Sequence, residues 1–264
     1  MAGMMTSLLL LLLAGVTVGR VVDLQKRIIR GKTCAATERL YHVQLIDENG
    51  ELVCGGSLIN KDWILTAAHC VSSTRMAILA VHQLGKVKTV NININHAEIY
   101  RDDIGTHDIA LVKLPKAEMG FEIVSLPDCE NPPQIGKTVQ IAGHGATTAD
   151  KHGNNVGGPE SKTLQCANTE VVICPPESCS YATNEYAGRE VVFCFKRNQV
   201  DISDGDSGGG VMFNCMIYGV IVRGFDEACT GPGTAMNVCK YKDWIERITK
   251  RKFPIDYILK ETAV

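Results

Sequence analysis

Between residues 40 and 240 the chain reads as short apolar or alternating runs with turn signals between them. Val87–Ile94 reads Val-Lys-Thr-Val-Asn-Ile-Asn-Ile, close to the two-residue period of a half-buried strand. Leu40–Ile46, Ile64–Ala68, Ile109–Leu114, Thr138–Ala142, Val191–Phe195 and Ile217–Val222 are equally short. Glu48-Asn49-Gly50, Pro132-Pro133, His152-Gly153-Asn154-Asn155 and Gly231-Pro232-Gly233 supply the breaks. Many short strands with such punctuation predict an all-β barrel or sandwich. Helical spacing emerges only from Tyr241 to about Lys252, with Trp244, Ile245 and Ile248 on one face, and Pro254 limits its continuation.

A chain of 264 residues can bury a core as one large domain or two small ones, so disulfides are not needed merely to fold it. Its 11 cysteines are therefore informative: the number is high for a reducing compartment, and being odd it leaves at least one without an intramolecular partner. The N-terminus fits this. Leu8–Leu13 is an unbroken leucine run, extended by Ala14, Val16 and Val18 and ending near Gly19. It is shorter than the roughly 20 apolar residues of a spanning helix. Residues 1–19 are read as a secretory signal peptide, although no positive charge precedes the leucines. Export and an oxidising surrounding are expected. With 27 basic against 29 acidic residues, the chain carries no nucleic-acid footprint.

Three separated runs carry the chemistry. Leu65-Thr66-Ala67-Ala68-His69-Cys70 is a small-residue strand ending in histidine; His107-Asp108-Ile109-Ala110-Leu111 places an acid at the start of an apolar strand. Taken singly, such a histidine is usually structural and such an aspartate a turn or cap residue. Asp204-Gly205-Asp206-Ser207-Gly208-Gly209-Gly210 sets a serine among glycines, where a tight turn can expose its hydroxyl beside free backbone N–H groups. A flexible linker would rarely fix acids at such places beside an apolar strand. Together the runs supply base, orienting acid and nucleophile in the order His, Asp, Ser.

With Cys54-Gly55-Gly56-Ser57-Leu58-Ile59, Tyr241 and Trp244 added, the chain resembles the trypsin-type serine proteases, specifically a trypsinogen-like zymogen, over nearly all of residues 28–252. The resemblance implies two six-stranded antiparallel β-barrels with a C-terminal α-helix. It implies Ser207 as nucleophile, His69 as base then acid, Asp108 as its orienting partner, and the N–H groups of Gly205 and Ser207 as the oxyanion hole. It implies an activation propeptide over residues 20–27, cut after Arg27, ahead of a protease domain at 28–264. The freed Ile28 ammonium would then pair with buried Asp206. Asp201, six residues before Ser207, falls at the base of the substrate pocket, between Gly224 and Gly233 as wall glycines, which implies cleavage after Arg or Lys. Implied partners are protein or peptide substrates, an activating protease and protein protease inhibitors, with the chain a monomer and no membrane attachment.

By the same resemblance Cys54–Cys70, Cys34–Cys166, Cys179–Cys194 and Cys129–Cys239 pair, leaving Cys174, Cys215 and Cys229. Connectivity cannot be read from sequence alone. No metal or cofactor is expected: there is no His-Glu-x-x-His run and no paired C-x-x-C spacing. Met76–Asn95, spanning the loop in which many trypsins hold calcium, contains no Asp or Glu. The chain departs from the family at Val222 and Arg223, where a serine and a tryptophan are usual. Ile202 replaces a small polar residue, Ala235 a pocket tyrosine, Gly210 a proline and His144 a tryptophan; Arg30 replaces a glycine and Ser203 a cysteine. These departures point to an altered pocket. They also leave open a second class, a protease-shaped binding or regulatory protein.

Overall fold

A computed structural model describes residues 28–29, 31–83, 85–145, 160–176, 178, 189–225 and 227–250. The expected leader, the propeptide with Arg27, Arg30 and Cys179 lie outside them. The first half supplies β1 (Lys32–Thr33), β2 (His42–Ile46), β3 (Leu52–Asn60), β4 (Trp63–Thr66), β5 (Met76–Leu79), β6 (Lys88–Asn91), β7 (Glu98–Asp102) and β8 (Gly105–Lys113). The second supplies β9 (Thr138–Gly143), β10 (Gln165–Val172), β11 (Val192–Lys196), β12 (Gly210–Phe213), β13 (Met216–Arg223), β14 (Gly233–Asn237) and helix α1 (Val238–Thr249).

The strands form two sheets, ordered β6-β5-β2-β3-β4-β8-β7 and β1-β10-β11-β14-β13-β12-β9. In the second, β9 also pairs with β10, so six strands close into a barrel and β1 attaches outside that ring. The all-β class is as expected. The first sheet differs from the six-stranded barrel of the sequence reading: it has seven strands, and no ladder joins its ends β6 and β7 among the described residues. Those ends follow one another in the chain through a 3-10 turn at Ile94–His96, so connectivity replaces hydrogen bonding there.

The larger apolar core runs across both sheets, with Ile217, Val220, Val222 and Met236 of the second sheet joining residues of the first. Leu58, Trp63, Ile64, Leu65 and Leu111 belong to it, and Tyr241, Trp244, Ile245 and Ile248 of α1 join them. That spacing puts the apolar side chains of α1 on one face, each contributing about 1.5–3 kcal/mol when fully buried. The helix starts three residues before the expected Tyr241 because the Asn237 side chain accepts from Cys239 N at 3.2 Å and caps it. No helix among the described residues is long and apolar enough to cross a membrane. The barrel core holds Ile28, Val139, Ile141, Val171, Phe195, Ile202, Val211, Ile221 and Ala235.

Disulfides join Cys34–Cys166, Cys54–Cys70, Cys129–Cys239 and Cys174–Cys194. The last corrects the expected Cys179–Cys194 pair. Register explains it: β10 pairs with β11 with Val172 opposite Cys194, so Cys174, just beyond that strand, comes within 5.1 Å Cα–Cα of Cys194. Cys215 is an exposed free thiol in the turn between β12 and β13.

Candidate active site

The histidine and the acid meet because of strand register. Strand β4 pairs antiparallel with β8, with Thr66 opposite Ala110. Extending that ladder two residues brings Ala68 level with Asp108, so His69, in the 3-10 turn Ala68–Ser73, lands beside the carboxylate. Asp108 Oδ2 lies 2.8 Å from His69 Nδ1, and Oδ1 accepts from the His69 backbone N–H at 2.9 Å. An ionised carboxylate only accepts, so Nδ1 carries the proton and Nε2 is left as the basic nitrogen. The Cys54–Cys70 bridge anchors this turn to β3. The two sulfurs lie within 4.8 Å of a His69 ring nitrogen, but the disulfide has consumed them as metal ligands.

Ser207 comes from the other sheet, in a turn whose backbone is fixed from several sides. Asp206 N–H donates to Ser203 O at 3.0 Å, Gly209 N–H to Asp206 O at 3.0 Å, and Gly208 N–H to Ile221 O at 2.7 Å. The seam between the sheets is tied here: Gly55 N–H on β3 donates to Ser207 O at 2.7 Å, and Thr66 Oγ1 donates to Gly55 O at 2.8 Å. Gly205 and Gly208 adopt φ of 90° and 79°, in the left-handed region. A Cβ at Gly208 would collide with Gly55 O and Thr66 Oγ1. Gly208→Ala is therefore expected to cost about 3 kcal/mol or more, combining strain with overpacking. Thermal unfolding would show this as a large drop in Tm, and a variant within a degree of the parent would contradict this account of the turn.

Asp206 is fully buried. Its Oδ1 accepts from Gly145 N–H at 2.8 Å and its Oδ2 from Ser203 N–H at 3.0 Å. Burial, with Asp201 and Asp204 nearby, still pushes its carboxyl up to about 7. Ile28 is also fully buried, within the barrel core, and its backbone takes φ 40°, unusual for a β-branched residue.

Around the expected pocket, Asp201 is 4% exposed; its Oδ1 accepts from Ile202 N–H at 2.9 Å and its Oδ2 from Cys229 N–H at 2.7 Å. Gly224 follows β13, facing Ile202; Gly233 opens β14, opposite Phe195 of β11. The sequence reading missed Phe195 at this place, because only the β11–β14 register reveals it. It missed His42 as well. His42 and His144 are both buried, their rings 5.4 Å apart at the seam. Burial, with His82 nearby, holds His144 down at about 4, and burial also lowers His42, so both are neutral at pH 7.

A family model described as Trypsin matches residues 28–245. Serine protease 1 of Canis lupus familiaris is 30% identical over 254 residues, covering 92% of this chain and 98% of that protein. Trypsin of Sus scrofa is 29% identical over 232 residues, covering 85% and 96%. Among solved structures, mouse neuropsin, a serine protease expressed in the limbic system of the brain, aligns with a TM-score of 0.68 at 25% identity, covering 83% of this chain and 99% of that one. Human heparin binding protein aligns at 0.69 with 20% identity, covering 86% and 98%, a likeness of fold alone.

Proposed function

The chain belongs to the trypsin family of serine proteases, and from that premise we propose that it is a secreted zymogen which, once cut after Arg27, hydrolyses peptide bonds through an acyl-enzyme on Ser207. The leader of residues 1–19, the propeptide of 20–27 and the protease domain from 28 onward belong to this reading. One observation carries it: both Asp108 oxygens are bonded to the same histidine, one through the ring and one through the backbone. That grip fixes the tautomer in which Nε2 can take the Ser207 proton, and it stabilises the imidazolium that results. Ser207 Oγ then adds to the substrate carbonyl. The developing oxyanion is met by the Gly205 and Ser207 N–H groups, each such donor contributing about 3–4 kcal/mol to the transition state. The imidazolium returns its proton to the leaving amine, and water repeats the cycle on the acyl-enzyme.

Asp201 supports cleavage after Arg or Lys, since a buried acid is best matched by a cation. The altered neighbours lower the efficiency expected. Protein or peptide substrates, an activating protease and protein inhibitors are the partners of this reading, with no metal or cofactor taking part.

The deciding experiment is labelling of Ser207 by a fluorophosphonate after cleavage at Arg27. Absence of labelling in a correctly cut, folded chain would select the second reading, a protease-shaped binding protein, which the filled space beside Gly224 and Gly233 favours. Activation has its own test. Arg27→Gln is expected to leave a precursor that trypsin treatment cannot switch on, and full amidase activity in that uncut variant would end the zymogen proposal.

A further inference from the structure

We propose that Ile202 is a built-in plug of the substrate pocket, with Phe195 filling the clearance beside Gly233, and that it holds turnover of Arg and Lys substrates well below what the Ser207 machinery allows. This rests on the protease reading above. A wall glycine serves a substrate only if the space beside it is empty. Here it is not. A Cβ on Gly224 would lie 3.0 Å from Ile202 Cγ1 and 3.6 Å from its Cδ1, so the isoleucine already spans from the Asp201 segment to that wall. A Cβ on Gly233 would lie 2.6 Å from Phe195 Cζ and 3.2 Å from its Cδ2, so the ring directly across the ladder fills that second clearance. Ile202 and Phe195 are each 3% exposed and share the barrel core with Ile28 and Ala235.

The acid is engaged in the same way. Both Asp201 oxygens accept main-chain N–H groups, from Ile202 and from Cys229, and the residue is almost fully covered. A guanidinium or ammonium reaching it must first displace the Ile202 side chain, which is joined through the backbone to one of the donors holding the carboxylate. The two glycines now serve internal packing, and the pocket's basic preference is latent. Ile202 is on this account a specificity-determining residue that acts by occupying the place of the substrate side chain, without touching the triad.

The test uses the full chain cut after Arg27, with reactive Ser207 counted by fluorophosphonate so that rates are per active site. Ile202→Ser is expected to raise kcat/KM on an Arg-amide peptide by about 10–100-fold, the scale of a few methylenes in a pocket. A Leu-amide peptide should not gain in parallel, and Asp201→Asn in the same background should erase the gain. Benzamidine, a planar aryl amidinium, gives a readout independent of catalysis. At millimolar concentration it should leave the Tm of the parent unchanged and raise that of Ile202→Ser. Unchanged or lower kcat/KM in a folded, labelled Ile202→Ser variant would overturn the plug, as would sub-millimolar benzamidine binding to the parent. If Ile202→Ser does not fold, Ile202→Val and the benzamidine measurement on the parent decide. Failure of labelling overturns the protease reading instead, while benzamidine still reports on the pocket.

Discussion

Replacing Ser207 by alanine is expected to lower amide hydrolysis by the activated chain by about 10⁶-fold, a magnitude set by the same triad on an unrelated fold. Stability should hardly change, because Ser207 is partly exposed and the turn is held by backbone bonds that involve Ser203, Gly55 and Ile221. The loss should fall on kcat with little effect on KM, since the hydroxyl forms a bond only as the transition state is approached. Steady-state kinetics on one peptide amide suffices. Residual activity within 100-fold of the parent would mean that Ser207 is not the nucleophile.

The second large effect is one of pH and concerns Asp206. Burial pushes its carboxyl from an ordinary 3.8 up to about 7 in the folded chain. Between those values the native state holds a proton that the unfolded state has released. Stability of the uncut chain therefore falls as pH rises from about 4 to about 7, and the loss is complete above the folded value. A shift of this size corresponds to a few kcal/mol, about 1.4 per pH unit. Asp206→Asn should remove that slope, so the parent and variant curves of Tm against pH should diverge between pH 4 and pH 7. Cleavage after Arg27 should flatten the parent curve, because the freed Ile28 ammonium offers the carboxylate a counter-charge. Superimposable curves for uncut parent and variant would refute a buried, proton-holding Asp206.

The catalytic elements were legible because each depends on short-range chemistry written in consecutive residues. His69, Asp108 and Ser207 sit in runs whose small residues and glycines are dictated by tight backbone approach. Gly208, for instance, has no room for a Cβ beside Gly55 O and Thr66 Oγ1. Strands β2, β4, β8, β9 and β13 were visible as apolar runs. Strand β10 was not: its buried positions include Gln165, Cys166 and Thr169, so its burial pattern is poorly mirrored in apolar character. Gly233 sits within a Gly-Pro-Gly turn signal yet opens strand β14, because its missing side chain admits Phe195 from the neighbouring strand. The Cys174–Cys194 bond and the Phe195 ring beside Gly233 were illegible for a common reason. Both depend on which residue of β11 lies opposite which residue of β10 or β14, and register of that kind arises only once the barrel closes.

The φ of Ile28 gives the proposed cleavage a direction. A dihedral of 40° at a β-branched residue stores about 1–3 kcal/mol, tolerated in the intact chain because the side chain is locked in the barrel core. That angle is defined by the carbonyl carbon of the preceding residue. Hydrolysis after Arg27 would remove the atom, and with it the torsion and its cost. Resealing the bond would have to reload the torsion against a terminus that can now seek an anion. The cut would thus behave as a ratchet, sprung by the backbone and then held by charge.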